Sequence, residues 1–218
     1  MYLKELVLQS YDEYDKSTEF DYSVNYIVDL YFVCLPKKTW TGDFGKLIIE
    51  VDDRESEIKI EELIDVLILH IPYRINQYFT LSDTERKYNI LDILIESLSY
   101  LSSKYDWNKD EFDKAALCVK EKNYVNEQYW GKPVYSPNKK LKAQLFMKHT
   151  PKEIQLYVVV HKVRGKKDDL MNEYVTSVNP HWFFINDTLS EIHWTSDTSL
   201  YINKKRANKK WEFMIQNP

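Results

Sequence analysis

The chain has 218 residues, of which 44% are hydrophobic and 15% aromatic, while only 4 are glycine. This composition excludes a disordered chain and predicts a substantial core. So few glycines leave little room for the glycine-rich loops that cradle phosphates in nucleotide enzymes.

The formal net charge of −4 is unevenly distributed along the chain. Residues 1–65 carry 16 acidic and 7 basic side chains, whereas residues 132–218 carry 8 acidic and 15 basic ones. Such a split predicts either that the two ends attract each other or that one of them meets a charged partner.

The sequence also bears on the compartment. No apolar run approaches the roughly 18 residues of a membrane-spanning helix, and the first five residues lack the basic-then-apolar order of a signal peptide. Cys34 and Cys118 form neither a disulfide framework nor a metal-binding spacing. We therefore expect a cytoplasmic protein without a membrane segment, a metal or another cofactor.

The N-terminal block is predicted to be β-structure. Residues 3–9 predict a first strand, and the period-two alternation of residues 22–34 predicts a second, with Cys34 as an inert thiol on its packed face. Residues 44–51 predict a third strand, so that the three form an antiparallel meander. Residues 60–71 show helical spacing that ends at Pro72.

The clearest local signal predicts two helices joined by a short turn between Ser82 and Lys122. Ser82 and Glu85 have the spacing of a capping box, and apolar residues then recur at helical spacing up to Tyr105. Residues 105–108 predict the turn, and the second helix begins after Asn108.

The C-terminal block is again predicted to be β-structure. Residues 125–140 predict a linker, because they contain one glycine and two prolines. Three hairpins are expected after it: residues 141–149 with 153–163, residues 181–185 with 191–195, and residues 200–205 with 209–216. Residues 164–167 predict a turn and residues 170–178 a further strand.

The elements are thus segregated into a β block, a helical block and a β block, which indicates an α+β fold with mostly antiparallel sheets packed on the central helices. We expect a single domain of residues 1–218, with 1–124 and 141–218 as the alternative division. The wide apolar stripe of the first central helix favours a core shared by both β blocks.

Two surface features indicate a protein partner. The first is an acidic, tyrosine-rich loop, in which tyrosines supply rigid contact area and carboxylates supply electrostatic steering. The second is a basic hairpin tip, which could instead serve solubility or track a phosphate backbone. The predicted partner-binding residues are Tyr11, Asp12, Glu13, Tyr14 and Asp15 in the loop, and Lys204, Lys205, Arg206, Lys209 and Lys210 at the tip.

The sequence evidence for a catalytic or metal-binding site is weaker than the evidence for a partner-binding surface. Asp43 with Glu57 and Lys59 imitates the acidic residue and Glu-x-Lys pattern of a metal-dependent nuclease, but about two such triplets are expected by chance in this composition. His181 and His193 would lie on one face of the second predicted hairpin, where they could bind a metal. No serine-hydrolase elbow and no zinc-protease spacing is present.

The function expected from the sequence is therefore a non-catalytic cytoplasmic protein that binds another protein, with a toxin-neutralising protein of the immunity type as one concrete form. A metal-dependent phosphodiesterase and a structural subunit of an assembly are the alternatives. A pI near 5.8 counts against a dedicated nucleic-acid binder.

Overall fold

The computed structural model describes residues 1–11, 15–164 and 169–216. The chain forms two compact units, an N-terminal unit of Met1–Asn126 and a C-terminal unit of Glu127–Pro218. Helices account for 32% and strands for 39% of the residues, which confirms the α+β class. The single-domain organisation stays a prediction.

The N-terminal unit contains four strands and four helices. They are β1 Glu5–Ser10, α1 Asp15–Cys34, β2 Lys46–Asp52, β3 Lys59–Glu62, β4 Val66–Pro72, α2 Ile75–Tyr78, α3 Asp83–Tyr105 and α4 Lys109–Glu121. The strands form one sheet in the order β1-β2-β4-β3, in which β1, β2 and β4 are parallel and β3 is antiparallel to β4. The predicted antiparallel meander is therefore wrong.

The main error concerns residues 22–34, which were predicted as a strand and form most of helix α1. Four fully buried residues, Phe20, Val24, Ile27 and Tyr31, recur at spacings of four and three. That is the spacing of one helical face. The segment is apolar on so many positions that a period of two and a helical period both fit it.

Residues 60–71 were predicted as a helix, and they form β3, a turn and β4 instead. Asp65 lies in the turn with a φ of 66°. Leu67 and Leu69 are almost fully buried, whereas the intervening Ile68 is only partly buried. This alternation, together with the β-branched side chains, favours a strand.

The predicted pair of central helices is confirmed. Ser82 and Glu85 form the capping box at the start of α3, in which Glu85 Oε2 accepts from the Ser82 N–H at 2.8 Å. Asp106 ends α3 in the left-handed region with a φ of 56°, and α4 begins after Asn108.

Helices α1, α3 and α4 pack together, and one apolar cluster joins them to the sheet. The Tyr31 hydroxyl donates to the Phe112 carbonyl at 2.8 Å, and the Asn126 side chain donates to the Tyr26 carbonyl at 2.8 Å. Cys34 and Cys118 form a disulfide with Cα atoms 5.9 Å apart. Cys34 is therefore not the free thiol that the sequence predicted.

The C-terminal unit is mostly antiparallel sheet. Its elements are β5 Asn126–Tyr135, β6 Leu141–His149, β7 Ile154–Lys162, β8 Asp169–Val178, α5 Trp182–Thr188, β9 Leu189–Trp194, β10 Ser199–Lys204 and β11 Lys210–Met214. The strands form a four-stranded sheet β5-β6-β7-β8 and a three-stranded sheet β11-β10-β9. The stretch predicted as a linker, 125–140, is thus largely occupied by β5.

The first and last predicted hairpins of this unit are confirmed. Strands β6 and β7 pair from His149 opposite Ile154, and β10 pairs with β11 around the tip at 206–208. The strand predicted at 170–178 is confirmed as β8. Of the turn predicted at 164–167, residues 165–167 lie outside the described part of the chain.

The second predicted hairpin is wrong, because residues 182–188 form the short helix α5. The His181 side chain caps this helix by accepting from the Phe183 N–H with Nδ1 at 3.1 Å. Strand β9 exists, but it pairs with β10. Buried residues of both sheets and α5 enclose a second apolar cluster, separate from the one that contains α3.

Within the described residues, we find no helix with the length and apolar character needed to cross a membrane.

Candidate functional site

Of the residues predicted to bind a partner, Tyr11 has a well-defined position in the structure: it follows β1 directly. Its backbone N–H donates to the Val51 carbonyl at 3.0 Å, which holds it at the carboxyl end of the parallel strands. The ring is half exposed, at 53%, and the Arg54 guanidinium lies over it, 5.0 Å from its centroid. Ligands of parallel sheets commonly bind at this end of the strands. Tyr11 is thus a fixed, accessible aromatic side chain.

Arg54 is held in place by Asp52, the last residue of β2. Asp52 Oδ1 accepts from the Arg54 backbone N–H and from Nε at 2.9 Å each, and Oδ2 accepts from a terminal guanidinium nitrogen at 2.8 Å. The hydrogen bonds from Arg54 lower the pKa of Asp52. A bidentate pair of this kind fixes geometry as well as charge, so Asp52 holds the Arg54 guanidinium over the Tyr11 ring.

A row of polar side chains crosses the sheet beside this pair. Gln9, Glu50 and His70 lie opposite one another on β1, β2 and β4. Gln9 Nε2 donates to Glu50 Oε1 at 2.7 Å, and His70 Nδ1 lies 3.1 Å from Glu50 Oε2. His70 Nε2 lies 3.7 Å from Glu61 on β3, and the Tyr11 ring meets the His70 ring edge-on. The row thus leads from the largely buried Glu50 and His70 to the exposed Glu61.

Asp21 of α1 contacts the carboxyl end of β1. Its carboxylate accepts from the Ser10 N–H at 2.7 Å. The pKa of Asp21 is raised to about 6, chiefly because burial disfavours the charged form; the Ser10 hydrogen bond lowers this pKa and the nearby Glu50 raises it. The Asp21 carboxyl group therefore holds its proton more tightly than an exposed aspartate does.

The loop between β2 and β3, which carries Arg54, adds further carboxylates to this end of the sheet. Asp53 and Glu57 are exposed, and Glu55 forms an ion pair with Lys59. We call the surface made of Tyr11, Asp53, Glu55, Glu57 and Glu61 the acidic end. It belongs to a unit with 25 acidic and 15 basic side chains, a formal charge of −10.

Of the other loop residues predicted to bind a partner, only Asp15 lies in the described part of the chain. Asp12, Glu13 and Tyr14 lie outside the described residues, and Asp15 is the first residue of α1. Tyr11, the last described residue before them, lies on the acidic end.

The basic tip is exposed, as its position on a hairpin predicts, but several of its cations already have partners. Lys205 Nζ donates to the Asn186 carbonyl at 2.5 Å, and Arg206 pairs with Asp187 at 3.0 Å. Lys210 pairs with Glu212 at 2.6 Å, and Lys209 lies 4.9 Å from the Trp211 ring centroid. Lys204 is exposed at the end of β10. The tip is thus partly neutralised within its own unit.

The residues of the nuclease pattern are not brought together. Asp43 precedes the amino end of β2, where Lys46 pairs with Val66, whereas Lys59 pairs with His70 near the carboxyl end of β4. The four residue-to-residue steps from Val66 to His70 span about 13 Å. Glu57 lies with Lys59 at the acidic end, so Asp43 stands at the opposite end of the sheet.

The two histidines of the alternative metal site are on different kinds of element. His181 caps α5, and the ring of His193 on β9 stacks on Tyr201, with centroids 5.1 Å apart. Across residues 1–11, 15–164 and 169–216, no group of three or more His, Cys, Asp or Glu side chains has an arrangement that fits a metal ion.

Sequence reasoning missed Glu50, Asp52, Arg54 and His70. A usable signal existed, since His70 is the single polar residue of an otherwise apolar strand and Glu50 lies between Ile49 and Val51, where an ionisable group needs a partner. The register that places one opposite the other could not be read from the sequence.

No protein-family model, curated protein or solved structure matches this chain.

Proposed function

We propose that this chain is a non-catalytic protein that binds a basic partner protein through the acidic end of its N-terminal unit. The observation that carries the proposal is the position of Tyr11. An exposed aromatic ring predicted to bind a partner contacts Arg54 and His70, and the β2–β3 loop that carries Arg54 also carries the exposed Asp53 and Glu57. An aromatic anchor within a charged rim is the usual composition of a binding hot spot.

The support beneath this surface favours recognition without rearrangement. Asp52 fixes Arg54, Glu50 fixes the row that ends at Glu61, and Asp21 fixes the backbone of Ser10. Preorganised side chains lose less conformational entropy on binding, which increases affinity. The charge of −10 on this unit would speed the approach of a cationic partner.

A toxin-neutralising protein of the immunity type is one concrete form of this proposal. Such a protein requires a steering surface and an anchor, but no reaction chemistry. The phosphodiesterase alternative is less favoured, because Asp43 lies at the far end of the sheet from Glu57 and Lys59.

The test is a quantitative pull-down from a lysate of the native host, using the full chain at about 50 mM and about 300 mM salt. We compare the wild type with a variant that carries Asp53→Lys and Glu57→Lys. We expect the wild type to enrich one basic protein at low salt and less of it at high salt. The variant should lose that protein, because the electrostatic attraction is reversed.

The matched control carries Asp92→Lys and Glu96→Lys on the exposed side of α3, which changes the net charge by the same amount. It should retain the partner. Equal retention by both variants, or equal loss in both, would show that the acidic end is not the binding surface. Affinities of the identified partner, measured by calorimetry, then quantify the difference.

A further inference from the structure

The four-stranded sheet of the C-terminal unit has one face packed on the core of this unit and a second face with several partly or largely exposed side chains. Along β6 and β7 the side chains alternate, and those of Ala143, Leu156 and Val158 are fully buried in the core of this unit. The side chains between them point the other way. We call this second surface the open face, and it includes Tyr129, Phe146, Lys148, Tyr157, His161 and Tyr174.

A row of aromatic rings crosses the open face, with one ring on each strand. Phe146 lies opposite Tyr157 on the neighbouring strand, and Tyr157 lies opposite Tyr174. The Tyr129 and Phe146 rings have centroids 5.4 Å apart, and the Tyr157 and Tyr174 rings 5.7 Å apart. Three interstrand spacings give the row a length of about 14 Å. The row therefore places one aromatic side chain on each of the four strands.

The two ends of this row are accessible. Tyr129 is 47% exposed and Tyr174 is 52% exposed, although large aromatic side chains usually contribute to a core. His161 fixes Tyr129, because its Nε2 lies 3.0 Å from the Tyr129 hydroxyl and its Nδ1 lies 3.1 Å from Asp169. An exposed ring held in one orientation is suited to stacking on a flat ligand.

Cations accompany the rings. Lys148 Nζ lies 5.4 Å from the Tyr157 ring centroid and 3.4 Å from Glu127, and Lys142 lies opposite His161 on the neighbouring strand. Beyond the ends of β6 and β7, a cleft of about 980 Å³ is lined by Lys139, Lys140, Lys162 and Arg164 among others. The unit as a whole has 15 basic and 9 acidic side chains, a formal charge of +6. These charges favour an anionic ligand.

We propose that the open face binds single-stranded nucleic acid. Bases of a single strand present their flat faces, and sheets that carry a few aromatic residues stack two or three of them. The lysines and the basic cleft would meet the phosphates. A duplex hides its bases within its own stack, so the same surface would select a single strand. This proposal is independent of the partner protein that we propose for the acidic end.

The test uses the full chain and two fluorescein-labelled ten-nucleotide probes, oligouridylate and oligodeoxyuridylate, followed by fluorescence anisotropy. We expect saturable binding of at least one single strand and at least tenfold weaker binding of a ten-base-pair duplex. Comparing the two single strands decides between RNA and DNA, because only RNA offers the 2′-hydroxyl.

Matched variants then test the rings. Tyr129→Leu and Tyr174→Leu keep an apolar side chain on a strand but remove the π-face, and each should weaken binding about tenfold. Tyr174→Phe keeps the ring and should bind within about twofold of the wild type. Circular dichroism and thermal unfolding establish that each variant is folded.

Three outcomes would overturn the proposal. The first is no binding of either single strand when the protein is present at 100-fold the concentration of the probe. The second is binding that the leucine variants leave unchanged, and the third is equal affinity for the duplex and the single strands. Binding of a β-linked hexasaccharide of glucose without binding of the oligonucleotides would assign the aromatic row to sugars instead.

Discussion

The two units of this chain differ in nearly every physical respect. The N-terminal unit has a mixed sheet with parallel strands, long helices, a disulfide and a charge of −10, whereas the C-terminal unit is almost wholly antiparallel, contains no cysteine and has a charge of +6. The whole-chain pI of 5.8 is an average of these two surfaces. Net charge therefore has to be evaluated for each unit before a class of ligand is excluded.

The largest expected effect comes from the disulfide, which ties α1 to α4 across 84 residues of sequence. Replacing both Cys34 and Cys118 by serine should destabilise the N-terminal unit by about 4–5 kcal/mol, because the unfolded chain regains the entropy of a long loop. Hydrogen exchange, followed peptide by peptide in rising denaturant, measures the loss. Peptides of the C-terminal unit serve as the internal control, and an equal loss there would mean that the units unfold together.

The next effect tests the same independence without a covalent change. Leu94 of α3 and Leu156 of β7 are both fully buried, each in the apolar cluster of its own unit. Each substitution by alanine should cost about 3 kcal/mol. We expect Leu94→Ala to reduce protection only in the N-terminal unit and Leu156→Ala only in the C-terminal unit. Reduced protection of both units by either substitution would support the single domain expected from the sequence.

The smallest effect is a pH dependence confined to the N-terminal unit. Folding raises the pKa of Asp21 from 3.8 to about 6, so the folded unit binds this proton more tightly than the unfolded chain. The contribution of Asp21 to stability is therefore full below about pH 4 and is lost as the pH rises through about 6. An asparagine side chain at this position would remain neutral and could still accept from Ser10, so Asp21→Asn should stabilise the unit by about 1–2 kcal/mol at pH 7.

Unfolding in urea between pH 4 and pH 8 checks this expectation. The variant and the wild type should have equal stability at pH 4 and separate as the pH rises. Asp92→Asn on the exposed side of α3 is the control for the loss of one carboxylate. A constant difference between Asp21→Asn and the wild type at every pH would contradict the assignment.

The features that the sequence predicts well are those encoded locally. The Ser82 capping box, the turn after Tyr105 and the hairpins on either side of residues 150–152 and 206–208 each depend on residues a few positions apart. Hydrogen bonds within a turn or a first helical turn are satisfied by neighbours, so that residue type and spacing are sufficient.

The features that the sequence misses depend on partners far away in the chain. Residues 22–34 are apolar on so many positions that only packing against α3 and α4 decides between a helix and a strand. Glu50 and His70 meet because β2 and β4 are parallel in one register. His181 caps a helix although histidine is not among the preferred capping residues.

The same distinction applies to the candidate sites. Tyr11 was found because it belongs to a sequence-local group of acids and tyrosines, whereas the row Tyr129, Phe146, Tyr157 and Tyr174 was not found. These four aromatic residues are spread over 46 positions and come together only through strand pairing. No window of the length of one helix or one hairpin contains them all.

The hydrogen bond from the Asn126 side chain to the carbonyl of Tyr26 determines where this protein can be divided for study. Asn126 is only 2% exposed, so a fragment that stops at residue 124, where the sequence suggested the division, would leave a polar group in the middle of α1 without its side-chain partner. A protease-cleavage site inserted between Asn126 and Glu127 would keep Asn126 attached to the N-terminal unit and leave Glu127 with its partner Lys148 in the C-terminal unit. Each half could then be titrated against its own proposed ligand.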